Sequence, residues 1–109
     1  KLEKMGTELS RTVIGLLKFF ASTYNDVFEM PDPPLHDPVA IALLIDRSVV
    51  KVRRSNVEIE LNGKFTRGAT VVDIYNRSGS TANVDVALEL DFDKFWQMML
   101  EAIEKAGRA

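Results

Sequence analysis

The only histidine of the chain lies in a proline-rich segment, directly before an aspartate. Residues 33–40 read PPLHDPVA, with His36 followed by Asp37. Histidine is the one side chain whose unperturbed pKa lies near neutral pH, so it can act there as a general acid or base. If this chain takes part in catalysis, we expect the chemistry at this titratable pair.

The same residues also have a purely structural interpretation. Aspartate is a preferred N-cap and proline is favoured at the first helical position, so Asp37 and Pro38 predict a helix that begins at this point. The apolar run from Val39 to Ile45 predicts that this helix is buried. On local physics alone, Asp37 can be only a cap, and His36 can be a surface residue of a stiff loop.

A long amphipathic helix is predicted before the histidine segment. It begins near Thr7 or Glu8 and ends before Met30, because the prolines that follow cannot continue a helix. Its apolar residues recur at three- and four-residue steps, which is the period of a helix with one buried face. This apolar stripe consists of Leu9, Val13, Leu16, Leu17, Phe20 and Tyr24.

The middle of the chain predicts three strands. Alternation of apolar and polar residues from Val57 to Leu61 indicates a half-buried strand, and Asn62-Gly63 is a strong signal for a turn that begins a hairpin. A second strand is predicted over Thr70–Tyr75 and a third over Val84–Leu90.

A last helix is predicted after the strands, capped by Asp91-Phe92-Asp93. The resulting order is helix, helix, three strands, helix, which belongs to the α/β class. The side chains expected on the buried face of the last helix are Phe95, Met99, Ala102 and Ile103.

Composition indicates an ordinary globular chain and excludes several classes. Hydrophobic residues make up 46% and charged residues 28% of the 109 residues, and the net charge is −2. Without a basic cluster we expect no nucleic-acid partner, and without a long apolar run we expect no membrane association. The absence of cysteine excludes a disulfide framework, and we expect a cytoplasmic protein.

Three consecutive blocks of the sequence resemble the inosine–uridine-preferring nucleoside hydrolases. These blocks are Pro33–Asp46 (PPLHDPVAIALLID), Lys51–Asp73 and Asn83–Ile103. The resemblance implies an N-ribohydrolase that cleaves the N-glycosidic bond of purine or pyrimidine ribonucleosides. Residues 1–109 would be the C-terminal segment of one hydrolase domain, not a complete domain alone. The aspartate-rich motif with which family members begin does not occur here, so the N-terminal part of the same enzyme is the expected partner.

The resemblance also assigns roles to individual residues. His36 matches the histidine proposed to protonate the leaving base. Asp37 matches the last aspartate that binds Ca²⁺, an ion that activates the attacking water. The remaining Ca²⁺ ligands are expected in the N-terminal part. Tyr24 matches a region whose aromatic residues close over the nucleoside, although a tyrosine that ends an apolar stripe is commonly just a core edge.

Two functions therefore stay open at the level of sequence. The first is a Ca²⁺-dependent nucleoside hydrolase, to which this chain contributes part of the active site, and which is expected to be a homo-oligomer like related enzymes. This chain alone is expected to be inactive. The second is a non-catalytic α/β interaction module, which would associate through exposed apolar surface.

Overall fold

In the computed structural model, which describes all residues 1–109, the chain forms two compact units. The helical unit comprises residues 1–49 and 91–109, and the β unit comprises residues 50–90. The elements of the helical unit are α1 (Leu2–Met5), α2 (Glu8–Phe28), α3 (His36–Ile45), a 3₁₀ turn (Arg47–Val49) and α4 (Phe92–Gly107). Those of the β unit are β1 (Val50–Ile59), β2 (Thr70–Asp73) and β3 (Val84–Leu90).

Helix α2 begins and ends where the sequence predicts. The N–H of Ser10 donates to Oγ1 of the N-cap Thr7 at 3.1 Å, which satisfies one of the free donors of the first turn. At the other end Glu29 takes a left-handed conformation with φ of 53°, and its N–H donates to the carbonyl of Asn25. The short helix α1 was not predicted, because four residues are too few to show a helical period.

The predicted start of α3 is wrong by two residues. The helix begins at His36, and its N-cap is Leu35, which makes no side-chain cap hydrogen bond. Asp37 therefore lies inside the first turn, where its negative charge is still favourable near the positive end of the helix dipole. Pro38 is also tolerated there, because the N–H groups of the first turn have no partner within the helix.

Within residues 1–109, α3 is mostly exposed, contrary to the prediction of a buried helix. Ala42 is its one buried residue, whereas Ile41, Leu44 and Ile45 are 59%, 81% and 75% exposed. Since the apolar side chains of α3 project from every side of the helix, burying them would require other elements to cover several of its faces. Within the helical unit α3 packs against α4 and the 3₁₀ turn, which cover part of its surface.

The β unit is a three-stranded antiparallel sheet with the order β2–β1–β3. Ile59 pairs with Thr70 at one end of β1, and Val50 pairs with Leu90 at the other. The β1–β3 register shifts between Lys51 and Val52, which marks a bulge. The three predicted strands are thus confirmed, although β2 ends at Asp73 and β1 starts at Val50 and ends before Leu61.

The predicted hairpin is present, but Asn62-Gly63 is not a tight two-residue turn. The chain between β1 and β2 spans residues 60–69, and the left-handed position is Gly68, with φ of 90°. The Glu60 carboxylate accepts hydrogen bonds from the N–H groups of Asn62 at 2.7 Å and Gly63 at 2.9 Å. These bonds lower the pKa of Glu60 and hold the loop in a wider turn.

Helix α4 confirms its predicted cap and most of its buried face. Oδ1 of Asp91 accepts a hydrogen bond from the N–H of Lys94 at 3.0 Å. Phe95 and Ile103 are buried, and Met99 is half-buried between them. Ala102 is exposed, contrary to prediction, because the buried line follows four-residue steps and Ala102 lies beside that line.

None of the helices combines the length and the apolar composition that a membrane span requires.

Candidate active-site helix

His36 and Asp37 form the first two residues of α3, and both side chains are exposed. The segment that leads to them contains Pro31, Pro33 and Pro34, whose rings fix φ and keep the approach extended. The sequence therefore delivers the imidazole to the surface on a stiff connection rather than on a flexible loop.

The two side chains do not form a coupled pair. Neighbouring residues of a helix point in different directions, so the His36 ring and the Asp37 carboxylate do not face each other. Each is available to a different partner. The imidazole can exchange a proton with a bound molecule, and the carboxylate can offer oxygen atoms to a cation.

The opposite end of α3 is fixed by a polar cluster of Asp46, Ser48 and Lys94. Asp46, the C-cap, accepts hydrogen bonds at Oδ1 from the N–H of Ser48 at 2.9 Å and from its Oγ at 2.8 Å. Its Oδ2 lies 2.6 Å from the Lys94 ammonium, which also bonds to the Ser48 hydroxyl. The Lys94 ammonium, followed by Ser48, lowers the pKa of Asp46 to about 2. This cluster ties the end of α3 to the first turn of α4.

The sequence indicates only part of this cluster. Asp46-Arg47-Ser48 is recognisable as a helix stop, and the structure confirms that α3 ends there. Lys94 lies 46 residues further along the chain than Ser48. Nothing in the local pattern around Lys94 reveals its partner, because the ion pair depends on how α3 and α4 pack.

Tyr24 lies in a ladder of aromatic side chains along α2. Its ring centroid is 4.6 Å from that of Phe20 and 5.2 Å from that of Phe28, with tilted planes. Such contacts stabilise the ring positions beyond the area they bury. Tyr24 is half-buried by this arrangement, and its contact with a substrate stays a prediction.

The residues of this chain do not form a Ca²⁺ site on their own. Ca²⁺ takes six to eight oxygen ligands, and a protein site draws several of them from carboxylates. Among residues 1–109 no group of three or more histidine, cysteine, aspartate or glutamate side chains could hold a metal ion. Asp37 supplies one suitable carboxylate, and any complete site needs ligands from elsewhere.

Comparison with known proteins identifies the family. The model of the inosine–uridine-preferring nucleoside hydrolase family matches residues 1–97. A probable ribonucleoside hydrolase from Dictyostelium discoideum is 39% identical over 104 residues, which are 95% of this chain and 31% of that protein. An inosine–uridine-preferring nucleoside hydrolase from Crithidia fasciculata is 36% identical over 107 residues, or 98% of this chain and 34% of the relative.

The chain belongs to the inosine–uridine-preferring nucleoside hydrolase family. It spans about a third of the length of the relatives that it matches. The fold agrees as well: a purine-preferring ribonucleoside hydrolase from Gardnerella vaginalis superimposes with a TM-score of 0.77 at 22% identity, covering 95% of this chain and 33% of that one. The family and the fold class that the sequence resemblance predicted are both confirmed.

Proposed function

We propose that this chain is part of a nucleoside N-ribohydrolase that cleaves the N-glycosidic bond of purine or pyrimidine ribonucleosides. The observation that carries the proposal is the family match over residues 1–97, which includes the helix with His36 and Asp37. The named activities of the relatives supply the substrate class, and the exposed imidazole supplies a group able to take part in the chemistry.

His36 is proposed as the general acid that protonates the leaving base. Breaking an N-glycosidic bond leaves negative charge on the base, and a proton donor with a pKa near neutral pH lowers that barrier. Two features of the helix support this role. The ring is exposed at the start of α3, and the far end of α3 is tied to α4 through Asp46 and Lys94. His36 would therefore contact the substrate from a fixed helix.

Asp37 is proposed as one Ca²⁺ ligand, with the remaining ligands supplied by the rest of the family domain. Its carboxylate is exposed, and consecutive residues of a helix project in different directions, so one residue can bind a cation while its neighbour faces the base. Because residues 1–109 hold no further cluster of ligands, we expect this chain alone to be inactive.

The apolar surface of α3 supports the proposal that the rest of the domain covers it. Ile41, Leu44 and Ile45 are all more than half exposed, although a helix that is apolar on every side is normally buried. The cover would bring the missing ligands close to Asp37. We further propose that the complete enzyme is cytoplasmic and that Tyr24 contacts the bound nucleoside from the end of α2.

A chimeric enzyme tests the catalytic role of His36. Residues 1–109 replace the matching third of the Crithidia fasciculata relative, and hydrolysis of inosine and of an activated nitrophenyl riboside is measured. We expect His36→Ala to lower kcat for inosine by about 10²- to 10⁴-fold, the usual range for a general acid. The loss on the nitrophenyl riboside is smaller, because that leaving group needs no proton.

Lys64→Ala, in the exposed loop of the β unit, is the matched control and leaves both rates unchanged. An equal loss by His36→Ala on both substrates would contradict the leaving-group role. An active chimera in which His36→Ala changes neither rate would exclude His36 from the chemistry altogether.

A further inference from the structure

The C-terminal end of α3 is held by a closed ring of polar side chains. This ring, the α3–α4 cluster, consists of Asp46, Ser48 and Lys94. The Ser48 hydroxyl accepts a hydrogen bond from the Lys94 ammonium and donates one to Oδ1 of Asp46 at 2.8 Å. Oδ2 of Asp46 lies 2.6 Å from the same ammonium, which closes the ring. A hydroxyl can donate one hydrogen bond and accept others, so Ser48 satisfies both neighbours at once.

Backbone hydrogen bonds join the same two helices. The N–H of Val49 donates to the carbonyl of Asp46, the C-cap of α3, at 3.1 Å. The carbonyl of Val49 accepts from the N–H of Asp91, the N-cap of α4, at 2.8 Å. Val49 is completely buried. The end of α3 is therefore connected to the start of α4 through both backbone and side chains.

This connection fixes the direction in which α3 points. Apolar contacts are non-directional, and Ala42 is the one buried side chain of α3 within residues 1–109. Hydrogen bonds weaken steeply when their angles depart from the preferred values, so they restrict an orientation that apolar contacts leave free. Lys94 is the member of the cluster that α4 contributes, and the side-chain part of the connection depends on it.

The opposite end of α3 carries His36. The helix has ten residues, so its two ends lie about 15 Å apart. A pivot of about 10° at the α3–α4 cluster would move the first turn by about 2.5 Å. A general acid must lie within about 3 Å of the atom that it protonates, and a misplacement of about 1 Å can cost about 10²-fold in rate. A small change of angle at Asp46 is thus enough to take the imidazole out of reach.

We propose that Lys94 is a positioning residue for His36, which sets the place of the imidazole by holding the far end of α3. The inference rests on the proposed role of His36 as the acid that protonates the leaving base. A contribution to stability alone is a weaker explanation of the ion pair. The Lys94 and Asp46 side chains are 34% and 41% exposed, and ion pairs that water reaches contribute little to stability.

A double-variant cycle in the chimera with the Crithidia fasciculata relative tests the proposal. Lys94→Met removes the ammonium and keeps an apolar stem. We expect kcat for inosine to fall at least about tenfold with KM nearly unchanged, because the acid acts in the transition state. The rate on the nitrophenyl riboside should change less than about threefold, since that leaving group needs no proton. In the His36→Ala background, Lys94→Met should lower the inosine rate less than about threefold further, because no acid remains to be misplaced.

A second variant and a matched control accompany Lys94→Met. Ser48→Ala removes one exposed hydroxyl from the ring and should show the same selective loss on inosine, at a smaller size. This variant tests the cluster even if Lys94→Met does not fold, which circular dichroism reveals. Lys105→Met changes an exposed lysine near the other end of α4 and leaves both rates unchanged.

The possible failures identify which proposal is wrong. Equal losses on the two substrates, or a Lys94→Met loss that adds in full to that of His36→Ala, would overturn the positioning role while His36 remains the acid. Unchanged inosine hydrolysis in both Lys94→Met and Ser48→Ala would overturn it as well. An active chimera in which His36→Ala changes neither rate would instead refute the proposed role of His36, and the positioning role with it.

Discussion

The helical unit and the β unit keep their shapes by different means. In the helical unit the buried side chains Phe95, Ile103, Val49 and Ala42 form a small apolar core, and long stretches of α2 and α3 stay exposed. The β unit relies on its strand ladders and on side chains that bond to the backbone. Both units leave large apolar side chains exposed, among them Leu44 in the helical unit and Phe65 in the β unit.

Polar contacts replace a core in much of the β unit. The amide of Asn83 bonds twice to the backbone of Val57, accepting from its N–H at 2.9 Å and donating to its carbonyl at 3.0 Å. The Asp73 carboxylate accepts from the N–H groups of Arg77 and Ser78, and these bonds lower its pKa. The Asp73 bonds join residues four and five apart and are specified locally, whereas the Asn83 bonds join residues 26 apart and depend on how the strands pair.

The largest expected effect follows from the small core of the helical unit. Phe95 is 2% exposed, and Phe95→Ala should lower the free energy of unfolding by about 3–5 kcal/mol, the usual cost of deleting a buried aromatic ring. Urea unfolding followed by circular dichroism measures it. Phe65→Ala removes a ring that is 89% exposed in the β unit and should change the unfolding free energy by less than about 0.5 kcal/mol. Equal losses of unfolding free energy for Phe95→Ala and Phe65→Ala would contradict the claim that the helical unit depends on its buried core and the β unit does not.

A smaller loss of stability is expected on removing the side-chain amide of Asn83, which makes two hydrogen bonds to the backbone of Val57. Asn83→Ala removes both hydrogen bonds to Val57 and should cost about 1 kcal/mol, because water can partly replace them. Hydrogen exchange should accelerate at the Val57 amide, and Ser80→Ala in the same loop should leave that amide protected. Unchanged exchange at the Val57 amide in Asn83→Ala would show that strand pairing alone protects this amide, without the asparagine.

The smallest effect is the acid sensitivity of the α3–α4 connection. The pKa of Asp46 is lowered from 3.8 to about 2 in the folded chain, chiefly by Lys94, so the ionised form is favoured by folding. The contribution to stability is complete above pH 3.8 and is lost as the pH falls towards 2. Acid unfolding of Asp46→Asn should lack this component, while Asp26→Asn, exposed on α2, should retain it. Identical acid profiles for Asp46→Asn and the parent chain would contradict the role of the ion pair.

The elements of the fold are well predicted from sequence because local signals specify them. Thr7, Asp91 and the proline segment mark helix ends by capping and steric rules that need no tertiary information. The start of α3 is missed because Leu35 and Asp37, which lie two residues apart, can each precede a helical turn, and packing decides between them.

Burial is predicted less well than secondary structure. The apolar run of α3 correctly indicates a helix, but periodicity cannot show whether a covering surface is present. His36 and Asp37 are found from residue type and family resemblance, whereas Lys94 depends on a contact between distant elements.

Calcium binding tests the central claim most directly, namely that α3 carries part of an active site that other residues complete. Calorimetric titration with Ca²⁺ compares the 109-residue chain, the chimera with the Crithidia fasciculata relative, and the Asp37→Asn chimera. We predict negligible binding to the chain alone, stoichiometric binding to the chimera, and loss of that binding in Asp37→Asn. Tight stoichiometric binding to the chain alone, or unchanged binding in the Asp37→Asn chimera, would contradict the account.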